Sequence, residues 1–264
     1  MTDATPGTAL VTGGSAGLGA AYAEQFALRG HDIILVARDK ARLDATAGRI
    51  TAAAGRKVSV ISADLSTEDG VRSVEERLAA DESIDTVVNN AGIALFGPVP
   101  SADPAQLDKL VAINVGAFTR VAAAAAKAFT GRGKGTIINI SSAFALYITP
   151  FSTAQSASKS YVLTFTQGLA QELADTPVRV QAVLPGFLST SWWDGSGFDL
   201  GQVPDSIVAT PETTAVAGLV GLDAGELVTI PSLPDDADWH AFEAARQKVA
   251  PQMASKVPAV RYRP

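Results

Sequence analysis

The 264-residue chain contains no cysteine and only two histidines, His31 and His240. The first absence removes disulfides and thiolate metal sites. The wide separation of the two histidines argues against a histidine-based metal site, so no metal is expected. There is no run of basic residues, and the formal net charge is -6. Both facts argue against a nucleic-acid surface. Apolar stretches are interrupted well before about 18 residues, so no membrane span is expected. An apolar strand begins within the first ten residues with no signal peptide ahead of it. A cytoplasmic protein follows as the expectation. What is abundant is apolar: 47% of the residues are hydrophobic, enough for a large core. The length suits one α/β domain spanning 1–264.

Short apolar runs alternate with helical patterns along the chain. Strands are expected at 8–12, 32–37, 57–62, 84–88, 136–140, 178–184 and 226–230. Helices are expected after the glycines at 13–19, then at 41–54, 67–80, 103–129, 152–174, 211–222 and 235–249. Seven strands alternating with helices predict a doubly wound α/β fold, a parallel sheet covered on both faces. The first turn, T-G-G-S-A-G-L-G from Thr12 to Gly19, leads from strand to helix. Such a turn lets backbone approach a pyrophosphate at a helix N-terminus, where free N–H groups favour an anion. An ordinary glycine turn is the plainer alternative. At the end of the second strand stands Ala37-Arg38-Asp39. An acidic residue there would bind a ribose 2′-hydroxyl, whereas an arginine accommodates a 2′-phosphate. Arg38 therefore points to NADP(H), unless it is a solvated surface charge, and Asp39 reads as a helix N-cap.

The stretch from Asn139 to Lys159, N-I-S-S-A-F-A-L-Y-I-T-P-F-S-T-A-Q-S-A-S-K, organises the rest. Ser142 ends a strand. Gln155 and Lys159, four residues apart on a helix, lie on nearly the same face. The combination resembles the short-chain dehydrogenase/reductase family, whose members carry Ser followed thirteen residues later by Tyr-x-x-x-Lys. Thr12–Gly19 matches the family's T-G-x-x-x-G-x-G, Asn89–Gly92 its N-N-A-G, and Pro185–Thr190 its P-G-x-x-x-T. The resemblance covers essentially the whole chain and implies a single Rossmann-type domain. It implies a cofactor cleft formed by Gly13, Ser15, Ala16, Leu18, Gly19, Arg38, Asp64, Leu65, Asn90, Ala91, Gly92, Lys159, Pro185, Gly186 and Thr190. In the family an Asp at the position of Asp64 contacts the adenine; helix capping by Asp64 or Ser66 is the alternative, and both can hold. Asn114, a poor helix former inside a long helix, matches the active-site asparagine, whose carbonyl holds a water linked to the lysine. A plain structural hydrogen bond is the alternative.

One position departs from the pattern: Gln155 stands where the family has tyrosine. That tyrosine is the acid or base of carbonyl–alcohol interconversion, the lysine lowers its pKa and holds the nicotinamide ribose, and the serine binds the substrate oxygen. A phenol titrates near ~10 and can be tuned by a cation. A primary amide donates and accepts hydrogen bonds but supplies no proton as an acid. The catalytic set is therefore Ser142, Gln155, Lys159 and Asn114, with four explanations open. Another residue donates, Tyr147 being better placed than Tyr161, which lies about 200° round the helix from Lys159. Solvent or the substrate supplies the proton, as iminium or activated-alkene reduction allows. The chain is a cofactor-binding scaffold or uses the fold for non-redox chemistry. Or an introduced glutamine replaced a parental tyrosine.

The segment 191–210 mixes Gly, Ser and Asp with Trp192, Trp193 and Phe198. It reads as a substrate lid with an apolar underside, or as a subunit contact. The expected reaction is hydride transfer to or from a small apolar carbonyl, imine or activated alkene, with the substrate lined by Phe96, Phe144, Phe187 and Trp192. The resemblance also implies a homodimer or homotetramer assembled through the helices 103–130 and 152–174.

Overall fold

A computed structural model describes residues 6–263. The chain falls into two compact units that divide between Pro231 and Ser232, where the sequence reading expects one domain. The whole sheet lies in the first unit. Its strands are β1 (Thr8–Thr12), β2 (Asp32–Ala37), β3 (Val58–Ser62), β4 (Ile84–Asn89), β5 (Gly135–Ile140), β6 (Val178–Val183), β7 (Phe187–Leu188), β8 (Val208–Ala209) and β9 (Val228–Thr229). Its helices are α1 (Gly17–Leu28), α2 (Lys40–Ala54), α3 (Glu68–Ala80), α4 (Pro104–Val111), α5 (Phe118–Arg132), α6 (Thr153–Glu172) and α7 (Pro211–Ala224). The second unit carries α8 (Ala237–Val249), in which Trp239 and Phe242 stack at 5.8 Å and Arg246 pairs with Glu243.

The main sheet has seven strands in the order β3-β2-β1-β4-β5-β6-β9, all parallel. Parallel strands are buried on both faces, which is why β1, T-A-L-V-T, is a continuous apolar run with no exposed position. One core layer gathers Tyr22, Phe26 and Leu219 around Val11 and Leu35. The other gathers Val74, Val121 and Phe129 around Leu10, Ile34 and Ile137. The strand order reverses between β1 and β4. At such a switch point the loops leaving the carboxyl ends of the two strands diverge and open a crevice.

Three differences from the sequence reading stand out. The long helix expected from 103 is helical from Pro104 to Arg132, but 112–117 is a π-helical segment. By length and composition it would pass for a membrane span; its residues Ala117, Val121, Ala125, Ala126 and Phe129 pack in the core instead. Second, β7 and β8 form a separate two-stranded parallel pair, with Phe187 opposite Val208 and Leu188 opposite Ala209. Two-residue strands carry too little periodicity to be seen in sequence. Third, the last strand of the main sheet shrinks to Val228–Thr229.

Candidate active site

The crevice at the switch point is lined by the turn after β1 (Gly13, Ser15, Ala16, Gly17, Leu18), the loop after β4 (Asn90, Ala91, Gly92), the end of β5 (Ile140, Ser141, Ser142), Lys159 of α6, and Pro185, Gly186, Leu188, Thr190, Ser191, Trp192 and Trp193 beyond β6. Twelve residues expected from sequence therefore share one cavity: Gly13, Ser15, Ala16, Leu18, Asn90, Ala91, Gly92, Ser142, Lys159, Pro185, Gly186 and Thr190. Gly19, Arg38, Asp64, Leu65, Asn114 and Gln155 do not line it.

The glycine turn is built for close approach. Gly13 has φ +67°, and a Cβ there would meet the Asn90 side chain at 2.7 Å. A Cβ on Gly19 would lie 2.4 Å from the Gly13 carbonyl, which fixes Gly19 as a packing residue rather than a lining one. The turn and the loop after β4 are tied together by Thr12. Its Oγ1 accepts the N–H groups of Asn90 and Ala91, each at 3.0 Å, while Asn90 Nδ2 donates to the Thr12 carbonyl at 2.9 Å. The capping side chains Asp39, Thr67, Asp103 and Thr210 accept N–H groups at the starts of α2, α3, α4 and α7. No side chain caps α1, nor α6 or α8. What sets α1 apart is that its first turn opens on the cavity, which Gly17 and Leu18 line, so its N–H groups face space an anion could fill. This cradle fits the pyrophosphate of a dinucleotide.

Around it, Asp39 accepts Arg42 N–H at 3.0 Å, the expected cap, and leaves Arg38 exposed beside it. Asp64 accepts the N–H and hydroxyl of Ser66 at 2.9 and 2.7 Å. The cap of α3 is neither Asp64 nor Ser66 but Thr67, whose Oγ1 accepts Gly70 N–H. The Leu65 side chain is buried in the core layer with Ile34 and Val71.

The reactive end differs more. Ser142 Oγ donates to the Pro185 carbonyl at 3.4 Å and accepts Phe144 N–H at 3.2 Å. Lys159 Nζ donates to the Ile140 carbonyl at 3.1 Å. It is almost fully buried, and burial pushes its pKa down to about 8. Asn114 is buried within the π-helical segment, a wide turn that is common at functional sites. Its Oδ1 accepts Ile93 N–H at 2.9 Å, and its Nδ2 donates to the Ile93 carbonyl and to Ser158 Oγ. The side-chain carbonyl is thus engaged with the backbone, holding the loop after Gly92. A Cβ on Gly92 would lie 3.2 Å from Asn114 Oδ1 and 3.7 Å from Lys159 Nζ, so Gly92 sits between them.

Gln155 has 0% exposure. Its Oε1 accepts Leu95 N–H at 3.3 Å, and its Nε2 has no partner. Tyr147 is 63% exposed, does not line the cavity, and its ring faces Phe144 at 6.4 Å. Tyr161 bonds Thr119 at 2.8 Å, turned away as its helical angle requires. Phe96, Phe144 and Trp193 form a buried aromatic cluster joined by Phe187, Trp192 and Phe198. Of the four side chains expected to line the substrate, only Trp192 reaches the cavity. Its Nε1 donates to the Gly92 carbonyl at 3.1 Å. Ser158, whose Oγ accepts Asn114 Nδ2, is not singled out by the sequence; the sequence places Trp193 in the lid and Thr12 in the glycine motif, but neither in the cofactor or catalytic set.

These features define a Rossmann-type dinucleotide-binding protein. Residues 7–197 match the profile of short chain dehydrogenases, and the chain belongs to that family of oxidoreductases. It is 40% identical to a short-chain dehydrogenase from Sphingobium yanoikuyae solved in complex with NADPH, with TM-score 0.92 over 97% of this chain and 100% of that one. It is 39% identical to an alcohol dehydrogenase from Comamonas testosteroni specific for bulky-bulky ketones, with TM-score 0.91 over 99% and 100%. Among curated sequences it is 35% identical over 223 residues to a very-long-chain 3-oxoacyl-CoA reductase of Anas platyrhynchos, covering 82% of this chain and 69% of that protein. With its Bos taurus counterpart it shares 34% over 186 residues, and that match spans 59% of the relative's length.

Proposed function

We propose that this chain is an NADP(H)-dependent oxidoreductase acting on a small apolar carbonyl, imine or activated alkene. The observation that carries the reading is the convergence of Ser142 and Lys159 on the same cavity as the glycine cradle and the Pro185–Thr190 turn. When bound, the nicotinamide supplies or accepts the hydride. The N–H groups of the first turn of α1 hold the pyrophosphate. Exposed Arg38 meets the 2′-phosphate, in keeping with the NADPH held by the Sphingobium relative. Ser142 Oγ turns from the Pro185 carbonyl to the substrate oxygen. Segment 191–210, clasped at its base by the pairing of β7 with β8, serves as the lid, with Trp192 and Trp193 as its apolar underside. The ketone specificity in the name of the Comamonas relative supports a carbonyl substrate. No membrane or nucleic-acid partner is proposed, and a homo-oligomer would form through α5 and α6.

A second reading is a cofactor-binding scaffold without turnover. Gln155 favours it, being buried and outside the cavity lining. The test is NADPH oxidation against a panel of aryl ketones and cyclic iminium ions, beside NADPH binding by fluorescence. Turnover of any panel member supports the enzyme, and tight binding without turnover supports the scaffold.

A further inference from the structure

Among the described residues lining the cavity, Lys159 alone carries a titratable side chain. The three phenols of the first unit are placed elsewhere. Tyr147 stands in solvent, Tyr161 bonds Thr119, and Tyr22 is buried in the core layer of α1, where burial pushes its pKa up. Gln155 spends its carbonyl on Leu95 N–H and has no proton to give. The geometry points to Lys159 itself as the proton donor and acceptor of this site, its Nζ exchanging a proton directly with the substrate oxygen.

This inference rests on the oxidoreductase reading and names the proton source within it. Lys159 is one helical turn beyond Gln155 and lines the cavity with Ser142. The Ile140 carbonyl of β5 accepts its hydrogen bond, Gly92 after β4 lies beside it with the Asn114 amide on the other side of that glycine, and no charged group contributes to its shift. No carboxylate holds its proton in place. Burial alone lowers its pKa, to about 8, near the operating range in which a general acid is most effective. The step balances. The substrate carbon gains hydride from NADPH, the C=O π bond breaks, the oxygen takes the proton from Nζ, and the neutral amine is reprotonated by solvent. In the oxidative direction neutral Nζ accepts the hydroxyl proton.

An iminium ion provides the control, because its reduction forms a neutral amine from hydride alone and needs no proton. The experiment compares propiophenone with N-methyl-3,4-dihydroisoquinolinium as substrates for the unmodified chain, Lys159→Arg and Lys159→Met, with NADPH affinity and thermal melting measured for each. A guanidinium keeps the charge but does not release its proton. Expected is a fall of about 100- to 10,000-fold in the ratio of ketone to iminium kcat, whatever change both substrates share through NADPH affinity. Ketone reduction by the unmodified chain falls as pH rises through about 8, since the donor must be protonated. In the cofactor-free protein, the rate of reductive methylation at Lys159 should rise through the same pH. Equal loss on both substrates assigns Lys159 to holding the cofactor and overturns the proposal. So does ketone turnover that survives in Lys159→Met, or iminium turnover by the unmodified chain without any ketone turnover. If the unmodified chain reduces neither substrate, the oxidoreductase reading itself falls.

Discussion

Replacing Gln155 by tyrosine puts a phenol one helical turn before Lys159, on the face that Lys159 uses. The change removes one hydrogen bond, from Leu95 N–H to Oε1 at 3.3 Å, a loss of about 0.5–1.5 kcal/mol. It also removes a buried amide nitrogen that has no partner, a relief of about 1–3 kcal/mol. Against that, a larger ring enters a position with 0% exposure, and overpacking costs about 1–3 kcal/mol. These terms nearly cancel, so Gln155→Tyr should fold, with a melting shift of at most a few degrees. The catalytic effect is much larger. A positioned acid contributes about 100- to 10,000-fold, equivalent to about 2.7–5.5 kcal/mol of barrier. The assay is NADPH-dependent ketone reduction at pH 7, beside melting and NADPH affinity. Because Lys159 already donates in the parent, only part of that factor is open to gain: ketone kcat/KM should rise by about tenfold or more, while iminium turnover, needing no proton, should change little. A second arm adds Lys159→Arg to both backgrounds. With tyrosine present the arginine cation should be tolerated better than with glutamine, and the cycle measures that coupling. A folded Gln155→Tyr protein with unchanged NADPH affinity and less than about a tenfold gain on ketones would refute the reasoning, because position 155 would then not address the reacting atoms.

Three other changes test the rest of the site. Arg38→Ala should weaken NADPH binding by about tenfold or more while leaving NADH nearly untouched, since only the former carries the 2′-phosphate; titration by nucleotide fluorescence decides it. Thr12→Val leaves the N–H groups of Asn90 and Ala91 without their acceptor; at about 1–3 kcal/mol for each buried donor, melting should fall by several degrees and NADPH affinity with it. Lys159 also predicts a pH-dependent stability in the cofactor-free protein. Its folded pKa of about 8 lies below the unfolded value near ~10.4, so between them the unfolded state binds more protons and stability rises with pH. Over that window the gain is about 3 kcal/mol. Lys159→Met should therefore exceed the parent in urea stability at pH 7, and the gap should close by pH 10; a constant gap would contradict a buried, uncompensated amine.

How much of this was legible depended on whether a residue acts through its backbone or through its side chain. The strands were readable because parallel strands are buried on both faces and show as continuous apolar runs. The glycine turn was readable because close backbone approach excludes other residues, as the Cβ contacts at Gly13 and Gly19 confirm. The π-helical segment at 112–117 was not readable, because Asn114 and Gly116 lower helix propensity without specifying the wider turn. The cap of α3 was misplaced by one to three residues, since Asp64, Ser66 and Thr67 all have capping chemistry and only geometry selects among them. The aromatic cluster was legible as a set of residues. Its depth was not: Phe96 and Phe144 support the site from behind, and Trp192 alone of the four presents itself to the cavity.

Position 155 joins these observations. A tyrosine there would stand one helical turn before Lys159, and the lysine would serve it electrostatically. With glutamine the side-chain carbonyl accepts Leu95 N–H, and position 155 offers the lysine neither a phenol nor a carboxylate. A buried ammonium without an anion is costly, and the lowered pKa of Lys159 expresses that cost. Burial therefore leaves a lysine that gives up its proton more readily than an exposed one. Were Lys159 only a clamp for the ribose, ketone and iminium turnover would share one pH dependence. A site that still performs proton transfer benefits from the poised amine, and the pH dependence of ketone turnover separates these two cases more directly than any further structure would.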